Sequence, residues 1–260
     1  VTEAFSGTSD GGIYGDVIEE LDWNVGRILD TLSKEGLDEK TYVFFLSDNG
    51  PWYFGRSRGH LKRIGPEAVT HGGSALPLRG AKTSTWEGGL RVPCIMRAPG
   101  RIPAGEVYDK LACTLDLLPT LASLAGLEPP SDRIIDGHDL TDMIHGVQGA
   151  KRGKDVFYYY QQTSLQAVRS GDWKLHLPGF RHWPQYSMEA DAGPFERHLL
   201  YHLGNDLGET TDVSAENPEV VAELLALAEN ARADIGDVDR VGEGARFFDG
   251  GPRRPDIKKK

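Results

Sequence analysis

The strongest constraint on this chain is a run of five apolar residues, Tyr42-Val43-Phe44-Phe45-Leu46, that stops abruptly at Ser47-Asp48-Asn49-Gly50-Pro51. A short run of β-branched and aromatic residues with no polar alternation suits a strand covered on both faces, as in a parallel sheet under helices. The segment before it is helical by its spacing. Ile13, Val17, Leu21, Val25, Ile28 and Leu32 recur at steps of three and four between Gly12 and Lys34, which makes one apolar face. Lys34 and Gly36 are ordinary stop signals. Helix, short loop, buried strand and polar turn together indicate an α/β architecture.

Beyond Pro51 the pattern loosens. Residues 51 to 80 show no period and read as a long irregular loop, a kind of segment that is often functional. A second apolar strand runs from Leu90 to Met96, interrupted by Pro93. From Thr114 to Leu124, Leu115, Leu118, Leu121 and Leu124 fall at helical spacing. A polar, turn-rich stretch follows from 126 to 153. Val156–Tyr160 and Gln166–Arg169 then read as strands. Gly171-Asp172 is a hairpin signal, with Trp173–Leu177 as the return strand and Leu199–Leu203 as another. Pro218 to Ile235 is a helix with Val221, Leu224, Leu225 and Ala228 on its apolar face. The division this suggests is an α/β unit over 1–150, an antiparallel sheet plus helix over 151–240, and a flexible tail over 241–260.

Composition narrows the function. The 260 residues carry 29 basic and 39 acidic side chains, a net charge of −10. An acidic chain is a poor nucleic-acid partner, because phosphate binding draws on excess Lys and Arg. No stretch of about 18 apolar residues is present, so no membrane-spanning helix is expected. The two cysteines, Cys94 and Cys113, lie in apolar surroundings and read as small core residues. No HExxH motif is present among the eight histidines, and the one HxxxH spacing, His198 to His202, falls in a segment that reads as a strand, which argues against a zinc site.

Three places could carry chemistry. Asp48-Asn49 ends the first strand, where open α/β sheets form their sites. A carboxylate next to a carboxamide offers hard oxygens suited to calcium or magnesium. The same four residues, Asp-Asn-Gly-Pro, are also good turn chemistry. Lys82 follows a Gly-rich loop and could set a compact positive charge on an anion, or simply be a solvated lysine. His71, in His71-Gly72-Gly73-Ser74, has flanking glycines that permit close approach of a ligand, or is an ordinary loop histidine. There is no Gly-x-Ser-x-Gly elbow, dinucleotide loop or Walker loop.

Taken in order, these pieces resemble the sulfatase family of the alkaline-phosphatase-like superfamily, from about Gly15 to about Gly236. Tyr14 to Asp22, with Val25-Gly26-Arg27-Ile28-Leu29, resembles the helix before the family's metal strand. Phe45-Leu46-Ser47-Asp48-Asn49-Gly50 resembles that strand and two of its metal ligands. Leu78-Arg79-Gly80-Ala81-Lys82 with Trp86-Glu87-Gly88-Gly89-Leu90-Arg91-Val92-Pro93 resembles the segment carrying a sulfate-contacting lysine. Asp116 to Leu121, Asp136 to Leu140, Ala167 to Leu175, and Leu200 to Leu203 with Gly208-Glu209 are similar to family segments too.

The resemblance implies hydrolysis of sulfate esters by a formylglycine made from a Cys or Ser in a Cys/Ser-x-Pro-x-Arg motif. A divalent cation, calcium or alternatively magnesium, assists. It implies Asp48 and Asn49 as metal ligands, Lys82 as a catalytic and sulfate-binding residue, and His71 as a substrate-pocket residue. Neither cysteine and no serine here sits in the nucleophile motif. The family's paired aspartates, a second lysine and a further histidine also lack counterparts, and Ala81-Lys82-Thr83 stands where the family often has Gly-Lys-Gly. The resemblance therefore implies a C-terminal half, inactive alone, whose missing N-terminal half supplies the nucleophile. The implied fold is the C-terminal half of an alkaline-phosphatase-like sheet flanked by helices, plus a small antiparallel-sheet and helix subdomain. The implied location is periplasmic or secreted. A sulfate ester is the expected substrate, with a sulfated glycan suggested by Arg56, Arg58, His60 and Arg63 in the loop from Trp52 to His71. Two other readings stand beside this one: a phosphonate monoester hydrolase or phosphodiesterase of the same superfamily, and a non-catalytic domain that binds anionic sugars or a partner.

Overall fold

A computed structural model describes residues 1–52, 73–179 and 195–246. The first helix, α1 (Gly12–Lys34), spans the full periodic stretch. Its C-terminus closes as the glycine requires. Gly36 takes φ 65°, which lets the Leu37 amide reach back to the Leu32 carbonyl at 2.8 Å. At the other end, the Asp16 carboxylate accepts from the amides of Gly7 and Ser9 at 2.8 and 2.9 Å, so the preceding turn is folded onto the helix. Asp16 is the one buried residue of α1.

Strand β1 (Val43–Leu46) pairs with β2 (Cys94–Arg97) in antiparallel register, Phe44 opposite Met96 and Phe45 opposite Ile95. This differs from the parallel, doubly covered strand that the apolar run suggests. One face is covered: Phe44 and Met96 pack on Leu140, Met143 and Ile144 of the region around α4 (Thr141–Ile144), as does Leu124 of α3 (Leu117–Leu124). The alternate residues point the other way, and Phe45 and Ile95 are 38% and 63% exposed. Helical spacing from Thr114 resolves into a 3-10 turn over Thr114–Asp116 followed by α3, and part of the stretch read as strand from Leu90 is the end of a single helical turn, α2 (Glu87–Leu90). Cys94 is exposed and Cys113 half-buried, so neither is the core residue its neighbours suggest.

The second part is a meander of four antiparallel strands in chain order: β3 (Val156–Gln161), β4 (Ser164–Ser170), β5 (Trp173–His176) and β6 (Leu199–His202). The β4–β5 hairpin turns at Gly171-Asp172, as expected, with Gly171 at φ 56°. Helix α5 (Pro218–Asp234) lies on one face of this sheet and closes its core from Leu165, Val168, Leu175, Leu200, Leu224 and Ala228. A short ribbon follows, β7 (Gly236–Asp237) with β8 (Arg240–Val241). Residues just past it are tied down as well: the Arg246 guanidinium pairs with Asp136 at 2.6 Å and Asp234 at 2.9 Å. Of the tail expected over 241–260, residues 241–246 are thus held in place, and 247–260 lie outside the described residues.

Candidate active site

The other face of the four-stranded sheet receives residues 79–90, and this junction builds the site. Trp86 is fully buried. Its ring is covered by the Arg79 guanidinium at 3.8 Å and by the His176 ring at 4.2 Å, with Tyr201 and Phe195 edge-on. Beneath it lies a network of buried charge. The Lys174 ammonium, 0% exposed, donates to Glu87 Oε1 at 2.9 Å and to the Thr85 carbonyl at 2.8 Å, and lies 2.9 Å from Glu209 Oε1. Glu87 also accepts from the Tyr159 hydroxyl at 2.7 Å, and its backbone amide donates to Glu209 Oε2 at 2.7 Å. Arg169 reaches Glu87 at 3.5 Å, and Arg79 Nη1 donates to the Glu209 carbonyl at 2.9 Å.

The electrostatics follow from the partners. Burial raises the Glu87 carboxyl, but the charge and hydrogen bond of Lys174, with Tyr159 and Arg169, outweigh it and hold the group at about 2. Glu209 is also lowered: burial pushes it up, and Lys174 and His176 pull it further down. Burial, then the charge of Lys174, pushes His176 down to about 4 against the opposing effect of Glu209. His176 is therefore neutral at physiological pH. Its Nε2, 2.8 Å from a carboxylate that can only accept, carries the proton.

On this anchored base, residues 79–90 fold into a tight coil. A Cβ on Gly88 would meet the Arg79 carbonyl oxygen at 2.5 Å, and one on Gly89 the Ser84 carbonyl oxygen at 2.2 Å. The coil clasps the turn after β1. The Lys82 amide donates to the Pro51 carbonyl at 2.9 Å, and the Gly50 amide to the Gly89 carbonyl at 3.0 Å. A Cβ on Gly50 would lie 1.8 Å from the Gly88 oxygen, so only glycine permits this approach. Within the turn, the Ser47 hydroxyl donates to the Asn49 carbonyl at 3.0 Å. The structure thus brings Asp48, Asn49 and Lys82 into one locality although about 33 positions separate them in sequence. The Lys82 ammonium stands 5.6 Å from the centre of the Trp52 ring. His71 lies outside the described residues, as do Arg56, Arg58, His60 and Arg63.

Asp48 and Asn49 are hard-oxygen donors of the right kind for calcium or magnesium. In number they fall short, since calcium takes about six to eight oxygens. Among the described residues no cluster of three or more His, Cys, Asp or Glu side chains could hold a metal. These two residues fit as part of a cation site, not as the whole of one.

The sequence reading singled out Lys82 and the Asp48-Asn49 turn but gave no role to Glu87, Lys174, His176 or Glu209. The signal lay in the resemblance itself: Trp86-Glu87-Gly88-Gly89, Trp173-Lys174-Leu175 and Gly208-Glu209 are three of its segments, and their charged members meet in the core.

Two family models match the chain in tandem. The sulfatase model covers residues 7–127, and the model of the C-terminal region of aryl-sulfatase covers residues 152–246. Steryl-sulfatase of Mus musculus is 37% identical over 221 residues, which is 85% of this chain and 33% of that protein. N-acetylgalactosamine-6-sulfatase of Canis lupus familiaris is 38% identical over 231 residues, covering 83% of this chain and 41% of that protein. The crystal structure of the PsFucS1 sulfatase from Pseudoalteromonas sp. superposes with a TM-score of 0.75 at 25% identity, over 90% of this chain and 45% of that one. The chain thus spans between a third and just under half of the length of these relatives. Its antiparallel sheets and flanking helices are part of the alkaline-phosphatase-like fold, and the chain belongs to the sulfatase family.

Proposed function

We propose that this chain is the C-terminal part of a sulfuric ester hydrolase of arylsulfatase type. The observation that carries the reading is the backbone clasp between the Asp48–Pro51 turn and the Lys82 coil, which brings the residues proposed to bind metal and the residue proposed to bind sulfate into one locality. Asp48 and Asn49 would hold a calcium or magnesium ion together with ligands from an upstream portion. The bound ion would supply charge neutralisation and polarisation of the sulfate oxygens. Lys82 gives a compact positive charge for a sulfate oxygen, and the adjacent Trp52 ring favours that charge at the rim of the site. A formylglycine in the upstream portion would be the nucleophile. The similarity to steryl- and N-acetylgalactosamine-6-sulfatases supports a sulfate ester as substrate, and the basic residues between Trp52 and His71, with His71 as a pocket residue, favour a sulfated glycan. A periplasmic or secreted enzyme is the corresponding location.

The test uses the full-length protein and a chromogenic aryl sulfate. Asp48→Ala should lower metal affinity and turnover together. Lys82→Ala should lower turnover about 10²-fold while metal stays bound, the size of effect seen when one charge-stabilising group is removed. Wild-type turnover in Lys82→Ala sinks the assignment of that residue.

A further inference from the structure

Thr83 follows Lys82 with φ 73°. A β-branched residue pays for that conformation in steric strain, whereas glycine does not. Such a residue keeps the conformation only if its surroundings hold it there, and the hold comes from the second sheet. The Gln161 side-chain Nε2 donates to the Thr83 carbonyl at 2.8 Å. Gln161 Oε1 accepts from Gln166 Nε2 at 2.8 Å, and Gln166 Oε1 accepts from the Thr85 hydroxyl at 3.1 Å. The order is forced. A carbonyl can only accept, so Thr83 must face the amide nitrogen of Gln161, which sets Gln166 in turn and leaves the Thr85 hydroxyl as donor. The chain of bonds starts at Thr85 and ends at Thr83, bracketing the backbone next to Lys82. Gln166 is 4% exposed, so its orientation is locked by packing as well. On the other side, the Lys82 amide holds the Pro51 carbonyl. The peptide carrying the lysine is pinned from both sides, once by the turn of Asp48 and Asn49 and once by β3 and β4.

We propose that Gln161, backed by Gln166, is a positioning residue: it holds the strained Thr83 peptide and so fixes where Lys82 stands in the site it shares with Asp48 and Asn49. The proposal rests on reading Lys82 as the sulfate-contacting lysine. Gln161 touches neither substrate nor metal in this scheme, and it acts through the backbone alone.

The experiment compares Gln161→Leu, Thr83→Gly, the double variant and Lys82→Ala in the full-length protein. Two readouts are taken: hydrogen exchange of the Lys82 amide, and kcat and KM on an aryl sulfate. Gln161 is half-buried at the end of β3, so its replacement leaves the sheet core intact. Gln161→Leu should speed exchange at Lys82 about tenfold and lower kcat about tenfold, with KM within about twofold. Glycine adopts the conformation of residue 83 without strain, so in the Thr83→Gly background the same replacement should cost less than about threefold. Equal losses in both backgrounds overturn the proposal. So do unchanged exchange and unchanged kcat in Gln161→Leu while Lys82→Ala is impaired. Full turnover in Lys82→Ala instead removes the role given to Lys82, and exchange at Lys82 then decides alone whether Gln161 holds the loop.

Discussion

Lys174 occupies a position where a lysine cannot stand alone. It has no exposure, and two carboxylates and a carbonyl oxygen surround its ammonium group. With Arg169, the two cations balance Glu87 and Glu209, and the neutral His176 adds no charge. Buried charges cost several kcal/mol each unless paired in this way. The arrangement has a consequence in pH. The folded His176 holds at about 4, below its ordinary 6.5, so the unfolded chain takes up the proton first as pH falls. Its contribution to stability is complete above about 6.5 and is lost as pH falls toward 4. Glu87, at about 2 against an ordinary 4.5, behaves the same way lower down: its contribution is present above 4.5 and is lost between there and 2. Each group changes stability by about 1.4 kcal/mol per pH unit inside its window. Denaturant titrations at pH 7, 5.5 and 4.5 should therefore show falling stability, and His176→Gln should flatten that fall. A His176→Gln curve parallel to the wild type would mean that this histidine is not the group responsible.

At the scale of elements, the junction between residues 79–90 and the Asp48–Pro51 turn depends on close backbone approach, and helix α1 does not. The two cases separate by a pair of glycine substitutions. Gly50→Ala puts a methyl group 1.8 Å from the Gly88 oxygen, so the clasp must open, at a cost of about 2–4 kcal/mol. Gly26 lies inside α1 with nothing within 4 Å of a Cβ, and Gly26→Ala should stabilise by up to about 1 kcal/mol. Thermal unfolding of both variants checks this, and a Gly50→Ala protein as stable as the parent would contradict the clasp. The same contrast explains what was legible in the sequence. Helices α1 and α5 and the β4–β5 hairpin come from local rules, namely a 3.6-residue period and a Gly-Asp turn. The position of Asp48 and Asn49 at a strand end was legible for the same reason. The charged network was not. Glu87 meets Lys174 across 87 positions and supplies an amide to Glu209 across 122, and a charged residue read on its own belongs at the surface. Strand β1 was misjudged because an apolar run records how much cover a strand is suited to, not which strand lies beside it.

Over the whole molecule, the two parts differ in how they bury their apolar surface. The second part closes its own core under α5. The first does not. On α1, Ile13, Val17, Ile18, Leu21 and Ile28 are 44–60% exposed, and on the β1–β2 pair Phe45 and Ile95 stand open on one face. A face of this kind, periodic and continuous, is the signature of a surface meant to be covered. Under the proposed function, an upstream portion of the enzyme is the natural cover for this face. The 260 residues expressed alone should then self-associate through α1 and the open sheet edge. Sedimentation should show concentration-dependent species, and Leu21→Glu with Ile28→Lys should shift them toward monomer. Co-expression with the upstream portion should give a stoichiometric complex in which the same two substitutions weaken binding. A monomeric chain with one sharp, cooperative unfolding transition, unchanged by those substitutions, would mean that the apolar face of α1 has no partner to find.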